Sequence, residues 1–472
     1  MVYVDTRDKS IQVSFRDATL WGMNPQTGGL FIPGEIPPLN RNFFLKECTP
    51  SFRNVALEIS RLFMGDDIPE EGIQQIVAEA FPFKIVVAPL SEHTYTLELF
   101  HGPTCAFKDF GARFMAQVMS YFNKDEDQPL HILTATSGDT GSAVGSAFYG
   151  VPGIEVTILY PKGRISQIQE QQIGTFTGNV HPVAVEGSFD DCQFLVKQAL
   201  TDVELRKELR LSSANSINIA RLLPQAFYYV YAARVIQDHS FNDMDISDPE
   251  IIFSVPCGNF GNLTAGLIAK ELFPSISGFI AATNSNRTMP IWFTSGNYIP
   301  CPSTETLAST MDVGVPCNYE RINTMYFHEN LKKNVAAFWT DDDGILNAIR
   351  SCFKTTGYVL DPHSAVAWAA WKECCSCFPS GKADFFPGQD YEIFPGLCPY
   401  LPQWAEMVRE KKAVGVVLAT SHPSKFNDTI AAAINRTVTL PSKLQRLLRL
   451  PITSVTINND YSELKSILMS YL

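Results

Sequence analysis

The chain has 472 residues, of which 45% are hydrophobic and 18% charged, and its formal net charge is −12. This length predicts two or three domains with packed cores, and the acidic balance argues against nucleic acid or an anionic membrane surface as the main partner. We also expect no membrane span, because no run of about 18 uncharged apolar residues occurs. The N-terminus has no signal-peptide pattern and the 11 cysteines are scattered, which predicts a cytoplasmic protein with reduced thiols.

The first unit predicted from the sequence spans residues 1–93. Gly28 to Pro33 reads as a turn into a short apolar strand, and the spacing of Ile59, Leu62 and Phe63 favours an amphipathic helix. A second helix is expected after Asp66. These residues carry no chemistry of their own, so we interpret the unit as a layer for packing and dimerisation.

From Thr94 onward, strand and helix patterns alternate, which predicts parallel sheets with right-handed crossovers. Long helices are expected over 190–201 and 217–237, and irregular structure over 302–329. Residues 374–404 lack periodicity and are interpreted as a surface insertion. Cys374 and Cys377 have C-x-x-C spacing, but no second pair follows, so we expect no metal site. The strands are predicted at 94–100, 130–135, 156–160, 180–185, 251–255, 279–283 and 414–419.

Lys108 is the first candidate for chemistry. It follows the strand that begins at Thr94, and a helical stripe of phenylalanines and valine begins two residues later. A helix N-terminus and an apolar pocket both disfavour an ammonium group. Such a lysine can act as a neutral amine, a Schiff-base former or a base. The alternative is a surface lysine at a helix start.

Two loops between a strand and a helix are rich in small and polar residues. The loop Gly258 to Asn262 brings backbone N–H groups to a helix start and suits a phosphate. The loop Ser137 to Gly141 suits a carboxylate or phosphate, although Asp139 would repel an anion unless it points away. The alternatives are a tight turn and a capped turn. The residues concerned are Gly258, Asn259, Phe260, Gly261 and Asn262 in the first loop, and Ser137, Gly138, Asp139, Thr140 and Gly141 in the second.

Further polar residues are weaker candidates for an anion site. Two basic residues follow the strand at 156–160, and a polar cluster opens the helix expected at 217–237, where an arginine could grip a phosphate with two N–H groups. Surface charge and helix capping are the alternatives. For His363 and His422 we favour capping or packing. The candidates are Lys162, Arg164, Asn215, Ser216, Asn218 and Arg221.

A lysine, a phosphate loop and a carboxylate loop on an α/β scaffold fit an enzyme that uses pyridoxal 5′-phosphate. The lysine would bind the cofactor, the glycine-rich loop its phosphate, and the other loop an amino-acid carboxylate. The pyridine nitrogen then requires a partner. Thr420, at the end of a strand, is a candidate hydroxyl.

Several long motifs, in order along the chain, resemble those of threonine synthases, which are fold-type II pyridoxal-phosphate enzymes. The resemblance is to the branch shared by enteric bacteria and fungi. It runs from near residue 10 to the C-terminus. The matching motifs are His101 to Thr104 with Ala106 to Gly111, Thr134 to Gly141, Ser213 to Asn218, Gly258 to Gly266, and His422-Pro423 with Lys425-Phe426.

The resemblance implies an α/β fold like that of the tryptophan synthase β subunit, with two parallel or mixed α/β domains and an N-terminal extension layer. The large cofactor-binding domain would comprise 94–130 and 250–472, and a smaller mobile domain 131–249. Lys108 would be the Schiff-base lysine and proton shuttle, Gly258 to Asn262 the cofactor phosphate loop, and Thr420 the partner of the pyridine nitrogen. Ser137 to Gly141 would bind the substrate carboxylate, and the six weaker candidates would bind its phosphate.

The implied activity is that of a lyase of threonine biosynthesis. It converts O-phospho-L-homoserine and water to L-threonine and phosphate, by γ-elimination of phosphate and β-addition of water. The alternatives are a phospho-lyase that releases a 2-oxo acid and a non-catalytic paralogue that binds the cofactor. We expect a small-molecule substrate, no nucleic acid or membrane partner, and a monomer or homodimer.

One segment departs from the family pattern N-x-N-D-T-V-P-R-F, since Arg287 and Ile291 replace its aspartate and arginine.

Overall fold

A computed structural model describes residues 1–40, 50–238, 249–326, 328–376, 407, 410 and 412–471. Most of the predicted insertion at 374–404, with Cys377, therefore lies outside the described residues. The strands are β1 (Tyr3–Asp5), β2 (Gln12–Val13), β3 (Phe31–Pro33), β4 (Val86–Ser91), β5 (Thr94–Glu98), β6 (Leu130–Ala135), β7 (Ile154–Pro161), β8 (Val180–Glu186), β9 (Arg210–Ser213), β10 (Glu250–Pro256), β11 (Ile276–Thr283), β12 (Val335–Trp339), β13 (Ala413–Ala419) and β14 (Val455–Asn458).

The helices follow the strands in the alternation that the sequence predicts. They are α1 (Phe15–Trp21), α2 (Phe52–Met64), α3 (Glu70–Ala80), α4 (Lys108–Asn123), α5 (Asp139–Phe148), α6 (Gln167–Gly174), α7 (Phe189–Thr201), α8 (Val203–Glu208), α9 (Ile219–Leu222), α10 (Pro224–Gln237), α11 (Gly261–Leu272), α12 (Thr288–Ser295), α13 (Tyr319–Met325), α14 (His328–Leu331), α15 (Asp342–Thr356), α16 (Pro362–Ser376), α17 (Asn427–Ile434), α18 (Ser442–Gln445) and α19 (Tyr461–Met469). Short 3₁₀ turns lie at Ser309–Met311, Pro423–Phe426 and Leu447–Arg449.

Two large sheets carry the fold. The larger has the strand order β12-β11-β10-β13-β5-β4, and all its neighbours are parallel except β4, which runs antiparallel to β5. The smaller is parallel throughout, in the order β14-β8-β7-β6-β9. Every residue of β13 is buried, as expected for a central parallel strand covered on both faces.

The predicted domain bounds remain a prediction, but the composition of the sheets differs from them at the C-terminal end. Strand β14 pairs with β8, with Val455 opposite Val183, so the smaller sheet includes residues near the end of the chain. Three of its four residues are exposed, which leaves little hydrophobic pattern to find in the sequence. The helix expected at 217–237 is divided into α9 and α10, because Pro224 lacks the N–H that a continuous helix requires.

The N-terminal layer packs directly on the main core. Strand β1 lies between β2 and β3 in a small antiparallel sheet, and Tyr3, Phe15 and Phe31 belong to the same apolar cluster as β10. The Tyr3 hydroxyl donates to the Phe63 carbonyl at 2.8 Å. The predicted packing role is thereby confirmed, whereas dimerisation remains a prediction. Within the described ranges, no helix combines the length and apolarity that a bilayer span requires.

Candidate active site

Three neighbouring strands of the larger sheet bring three predicted segments together. The order β10-β13-β5 places the carboxyl ends of these strands side by side. Strand β5 leads to Lys108, β10 to the loop Gly258 to Asn262, and β13 to Thr420. All three segments line one cavity, in the crevice where α/β sheets bind ligands.

The Lys108 amine is held where its charged form is unfavourable. Lys108 is the first residue of α4, and its Nζ lies 4.7 Å from the centre of the Phe107 ring. Its pKa is lowered from 10.5 to about 7, mainly by burial and also by the positive Arg221, and Asp139 partly opposes both effects. A large part of the Lys108 population is therefore neutral at neutral pH, as the sequence predicts.

The loop after β10 presents unpaired donors to the cavity. No backbone N–H of residues 258–262 donates to another described residue, and α11 begins at Gly261 with its N-terminus towards the cavity. The Asn262 Oδ1 accepts hydrogen bonds from Tyr228 and Tyr229 at 2.6 and 2.7 Å, which leaves its Nδ2 buried without a partner. Five amides and one side-chain donor at a helix start suit a phosphate.

Asn318, just before α13, and Arg321 on α13 brace this loop from behind. The Asn318 Nδ2 donates to the Asn259 carbonyl and to the Ser216 Oγ, both at 3.0 Å. Arg321, fully buried, donates to Asn318, to Ser216 and to carbonyls of the N-terminal layer and of Ile217. The arginine therefore ties the N-terminal layer to the phosphate loop.

Thr420 is fixed at the cavity wall by its backbone. Its carbonyl accepts a hydrogen bond from the Phe107 N–H at 2.8 Å, and its own N–H donates to the Ser364 Oγ at 3.2 Å. The side-chain hydroxyl makes no hydrogen bond to another described residue. It is therefore available to a ring nitrogen in the cavity.

Only part of the loop at 137–141 reaches the cavity. Ser137 and Thr140 line it, whereas the N–H groups of Gly138 and Gly141 donate to the Thr136 Oγ1 at 3.0 and 2.7 Å. Asp139 points away from the cavity, towards Lys425. The amides of Gly138 and Gly141 and the Asp139 carboxylate therefore have partners within the protein, and the substrate role of these three residues remains a prediction.

The weaker anion candidates divide into two sets. Asn215, Ser216 and Arg221 line the cavity, and the Arg221 Nη2 donates to the Thr140 Oγ1 at 3.1 Å while its Nε is buried without a partner. The structure does not bring the other three into the cavity wall. Lys162 pairs with Glu186, Arg164 pairs with Glu305, and Asn218 caps α9 through the Ala220 N–H.

The sequence pattern favoured capping or packing for His363 and did not predict its place in the cavity wall. This histidine lines the cavity at the start of α16, and its Nε2 accepts from the Thr310 N–H at 3.3 Å. Its Nδ1 therefore carries the proton and donates to Asp361 at 2.8 Å. The cluster Asp361-Pro362-His363-Ser364 was the available signal, but a capped helix start produces the same pattern. Other unpredicted lining residues are Phe189, Gln225, Cys257, Thr310, Met311 and Val313.

The segment that departs from the family pattern has its own contacts. The Arg287 guanidinium lies over the Trp339 ring, 4.4 Å from its centre. Asn284 and Asn286 donate to Asp312 at 2.7 and 3.2 Å, which holds the loop that covers Gly258. A Cβ at Gly258 would lie 2.9 Å from the Met311 Cα, so the loops are in close contact.

Profiles of known protein families match most of the chain. The profile described as "Pyridoxal-phosphate dependent enzyme" matches residues 91–382, "Threonine synthase N terminus" matches 2–81, and "Threonine synthase, C-terminal" matches 403–468. The threonine synthase of Escherichia coli (strain K12) is 37% identical over 471 residues, which cover 100% of both chains. The chain belongs to the threonine synthase family.

Solved structures of the family share its fold. The crystal structure of threonine synthase from Escherichia coli has a TM-score of 0.84 over 100% of both chains, at 37% identity. The structure of PLP-bound threonine synthase from Brucella melitensis has a TM-score of 0.81 over 100% of this chain and 99% of that one, at 31% identity. The predicted fold-type II architecture and the prediction of a pyridoxal-phosphate-dependent lyase are confirmed.

The cavity fits the family's cofactor. Pyridoxal 5′-phosphate requires an amine for its aldehyde, donors for its phosphate and a partner for its ring nitrogen. The cavity offers Lys108, the amides of Gly258 to Asn262 with the unpartnered Asn262 Nδ2, and the Thr420 hydroxyl. No group of three or more His, Cys, Asp or Glu side chains in the described part of the chain could hold a metal ion.

Proposed function

We propose that the protein converts O-phospho-L-homoserine and water to L-threonine and phosphate. Membership of the threonine synthase family supports the reaction. The observation that carries the proposal is that the Lys108 amine and the unpaired amides of Gly258 to Asn262 line a single cavity. One cofactor can bridge these groups only if they share such a space.

Each side chain in the cavity has a role that its surroundings support. Bound pyridoxal phosphate supplies the electron sink of the reaction. Lys108 would hold the cofactor, and its neutral Nζ would take the proton from the substrate Cα and return protons later. Its pKa of about 7 suits both directions of transfer. Thr420 would hold the ring nitrogen through a neutral hydroxyl, which would moderate the electron sink that the cofactor supplies.

The substrate's two anionic groups have separate candidate sites. Ser137 and Thr140 offer hydroxyls to the carboxylate at the start of α5. Arg221 and Ser216 lie across the same cavity and are our candidates for the leaving phosphate, because the Arg221 Nε is buried without a partner. A buried guanidinium stabilises the charge that develops as phosphate departs.

Product identification tests this proposal. The holoenzyme with O-phospho-L-homoserine should release L-threonine and phosphate in equal amounts. Release of 2-oxobutyrate without threonine would favour the phospho-lyase, and a bound-cofactor spectrum that the substrate leaves unchanged would favour the non-catalytic paralogue. The altered segment at Arg287 is the feature that prompts this last alternative.

We also propose a cytoplasmic location. Cys105, Cys192, Cys257 and Cys352 are buried free thiols, as in proteins of reducing compartments. The oligomeric state, monomer or homodimer, remains a prediction.

A further inference from the structure

A buried ion pair joins the two halves of the molecule beside the cavity. The Lys425 Nζ contacts the Asp139 Oδ1, and the two side chains are 0% and 3% exposed. The Asp139 carboxylate also accepts hydrogen bonds from the Gln169 Nε2 at 2.9 Å and from the Ser421 Oγ at 3.1 Å. Both of its oxygens are therefore occupied by partners outside the cavity.

The pair links segments that belong to different sheets. Asp139 is the first residue of α5, directly after the smaller sheet's strand β6, within the loop whose Ser137 and Thr140 line the cavity. Lys425 lies in the 3₁₀ turn Pro423–Phe426, five residues after Thr420 and the larger sheet's strand β13. The Lys425 Nζ also lies 3.4 Å from the Thr104 carbonyl, just before α4.

The charges of the pair bear on what this loop can bind. An unpaired carboxylate at Asp139 would repel an anionic group one residue away, and burying it alone would be costly. Lys425 removes the repulsion and offsets the cost of burial, because it pairs with the Asp139 carboxylate on the side away from the cavity. The hydroxyls and helix N-terminus of the loop then face the cavity without a competing anion.

We propose that Lys425 and Asp139 are positioning residues that dock the loop 137–141 against the cofactor-binding half and make it receptive to the substrate carboxylate. This inference rests on the proposed function, in which an amino acid binds there. Neither residue lines the cavity, so both act through Ser137 and Thr140.

A single variant and a double variant of the holoenzyme test the inference. Lys425→Met should raise the KM for O-phospho-L-homoserine by about tenfold or more, because Asp139 is left charged and unpaired. The double variant Lys425→Met/Asp139→Asn should recover to within about threefold of the wild-type KM, since it removes both charges. Lys465→Met is the matched control. Lys465 also pairs with an aspartate, Asp202, at 2.6 Å, but this pair lies away from the cavity. The KM of the Lys465→Met variant should equal that of the wild type.

A binding measurement separates this inference from the proposed reaction. L-Threonine and its decarboxylated analogue 1-amino-2-propanol are titrated against the absorbance of the bound cofactor. Lys425→Met should lower the affinity for L-threonine by about tenfold and leave the affinity for the analogue unchanged. This expectation holds whatever product the enzyme makes. Equal weakening of both ligands, or a double variant no better than Lys425→Met, would overturn the inference. If Lys425→Met does not fold, failure of the double variant to bind L-threonine near wild-type affinity would also overturn it.

Discussion

At the scale of single residues, the chemistry of Lys108 depends on its neighbours rather than on its type. Burial and the positive Arg221 lower its pKa to about 7, against the opposing field of Asp139. The neutral amine, not the ammonium, attacks the cofactor's aldehyde. The sequence could predict this state because the helix start and the apolar neighbours are local features.

The lowered pKa of Lys108 predicts how cofactor attachment depends on pH. The rate at which the apoprotein binds pyridoxal phosphate covalently should fall about tenfold per pH unit below pH 7, and level off above it, because only the neutral amine reacts. Stopped-flow absorbance measures the rate. Arg221→Met removes a positive neighbour and should move the midpoint to higher pH. A midpoint near pH 10 in the wild type would contradict the assignment.

Asn262 provides a second prediction at this scale. Asn262→Asp keeps the size and the acceptor for the two tyrosines but replaces the unpartnered Nδ2 with a charged oxygen. Repulsion of the phosphate should weaken cofactor binding by at least about tenfold, measured by equilibrium titration. Tyr228→Phe is the control, since it removes one donor and adds no charge, and its effect should be smaller. Unchanged affinity in Asn262→Asp would exclude the loop as the phosphate site.

Other residues show where local reasoning ends. The sequence indicates that Gly138 and Gly141 have accessible amides, but the Thr136 hydroxyl occupies both. Asn218 has a side-chain amide that could bind an anion, but it serves instead as a helix cap. The direction of a side chain depends on tertiary contacts that no local pattern records. The position of His363 in the cavity wall was not predicted for the same reason.

At the scale of elements, the strands that lead to the cavity follow from the sequence more closely than the segments that brace the cavity. The predicted strand at 130–135 is confirmed residue by residue as β6, which ends just before the loop that contains Ser137. In contrast, α13 lies in a region predicted to be irregular, yet its Arg321 joins three segments. Its role arises from contacts between elements distant in sequence.

Arg321 provides the prediction at this scale. Arg321→Met leaves several buried carbonyl groups without a donor and should lower the free energy of unfolding by about 3 kcal/mol. It should also weaken cofactor binding, because Asn318 and the phosphate loop lose their brace. Urea unfolding measures the stability. Arg16→Met is the control, since Arg16 forms an exposed ion pair with Glu126 and should change stability by less than about 1 kcal/mol. Equal effects of the two substitutions would contradict this view.

At the scale of the whole molecule, the cavity is formed by residues from both halves. Ser137 and Thr140 follow the smaller sheet, whereas Lys108 and Thr420 follow the larger one. The sequence could predict two sheets from the alternation of strands and helices. It could not predict that β14 returns to the smaller sheet, because a short exposed strand carries almost no pattern.

A ligand held by several segments should stabilise the whole fold. Saturation with pyridoxal phosphate at about 100 times its dissociation constant should raise the unfolding temperature by about 3 °C, through about 2.7 kcal/mol of binding free energy. Differential scanning calorimetry of apoprotein and holoprotein measures the shift. Pyridoxal, which lacks the phosphate, should give a smaller shift at the same concentration. Equal shifts for the two would contradict a role for the phosphate loop.

The central claim is that one lysine and one loop hold the same cofactor. Borohydride reduction of the holoenzyme fixes the cofactor on the lysine that carries it, and peptide mass spectrometry locates that lysine. The account predicts the adduct on Lys108, and its loss in Lys108→Ala. An adduct on Lys425 or on any other lysine, with Lys108 unmodified, would contradict it.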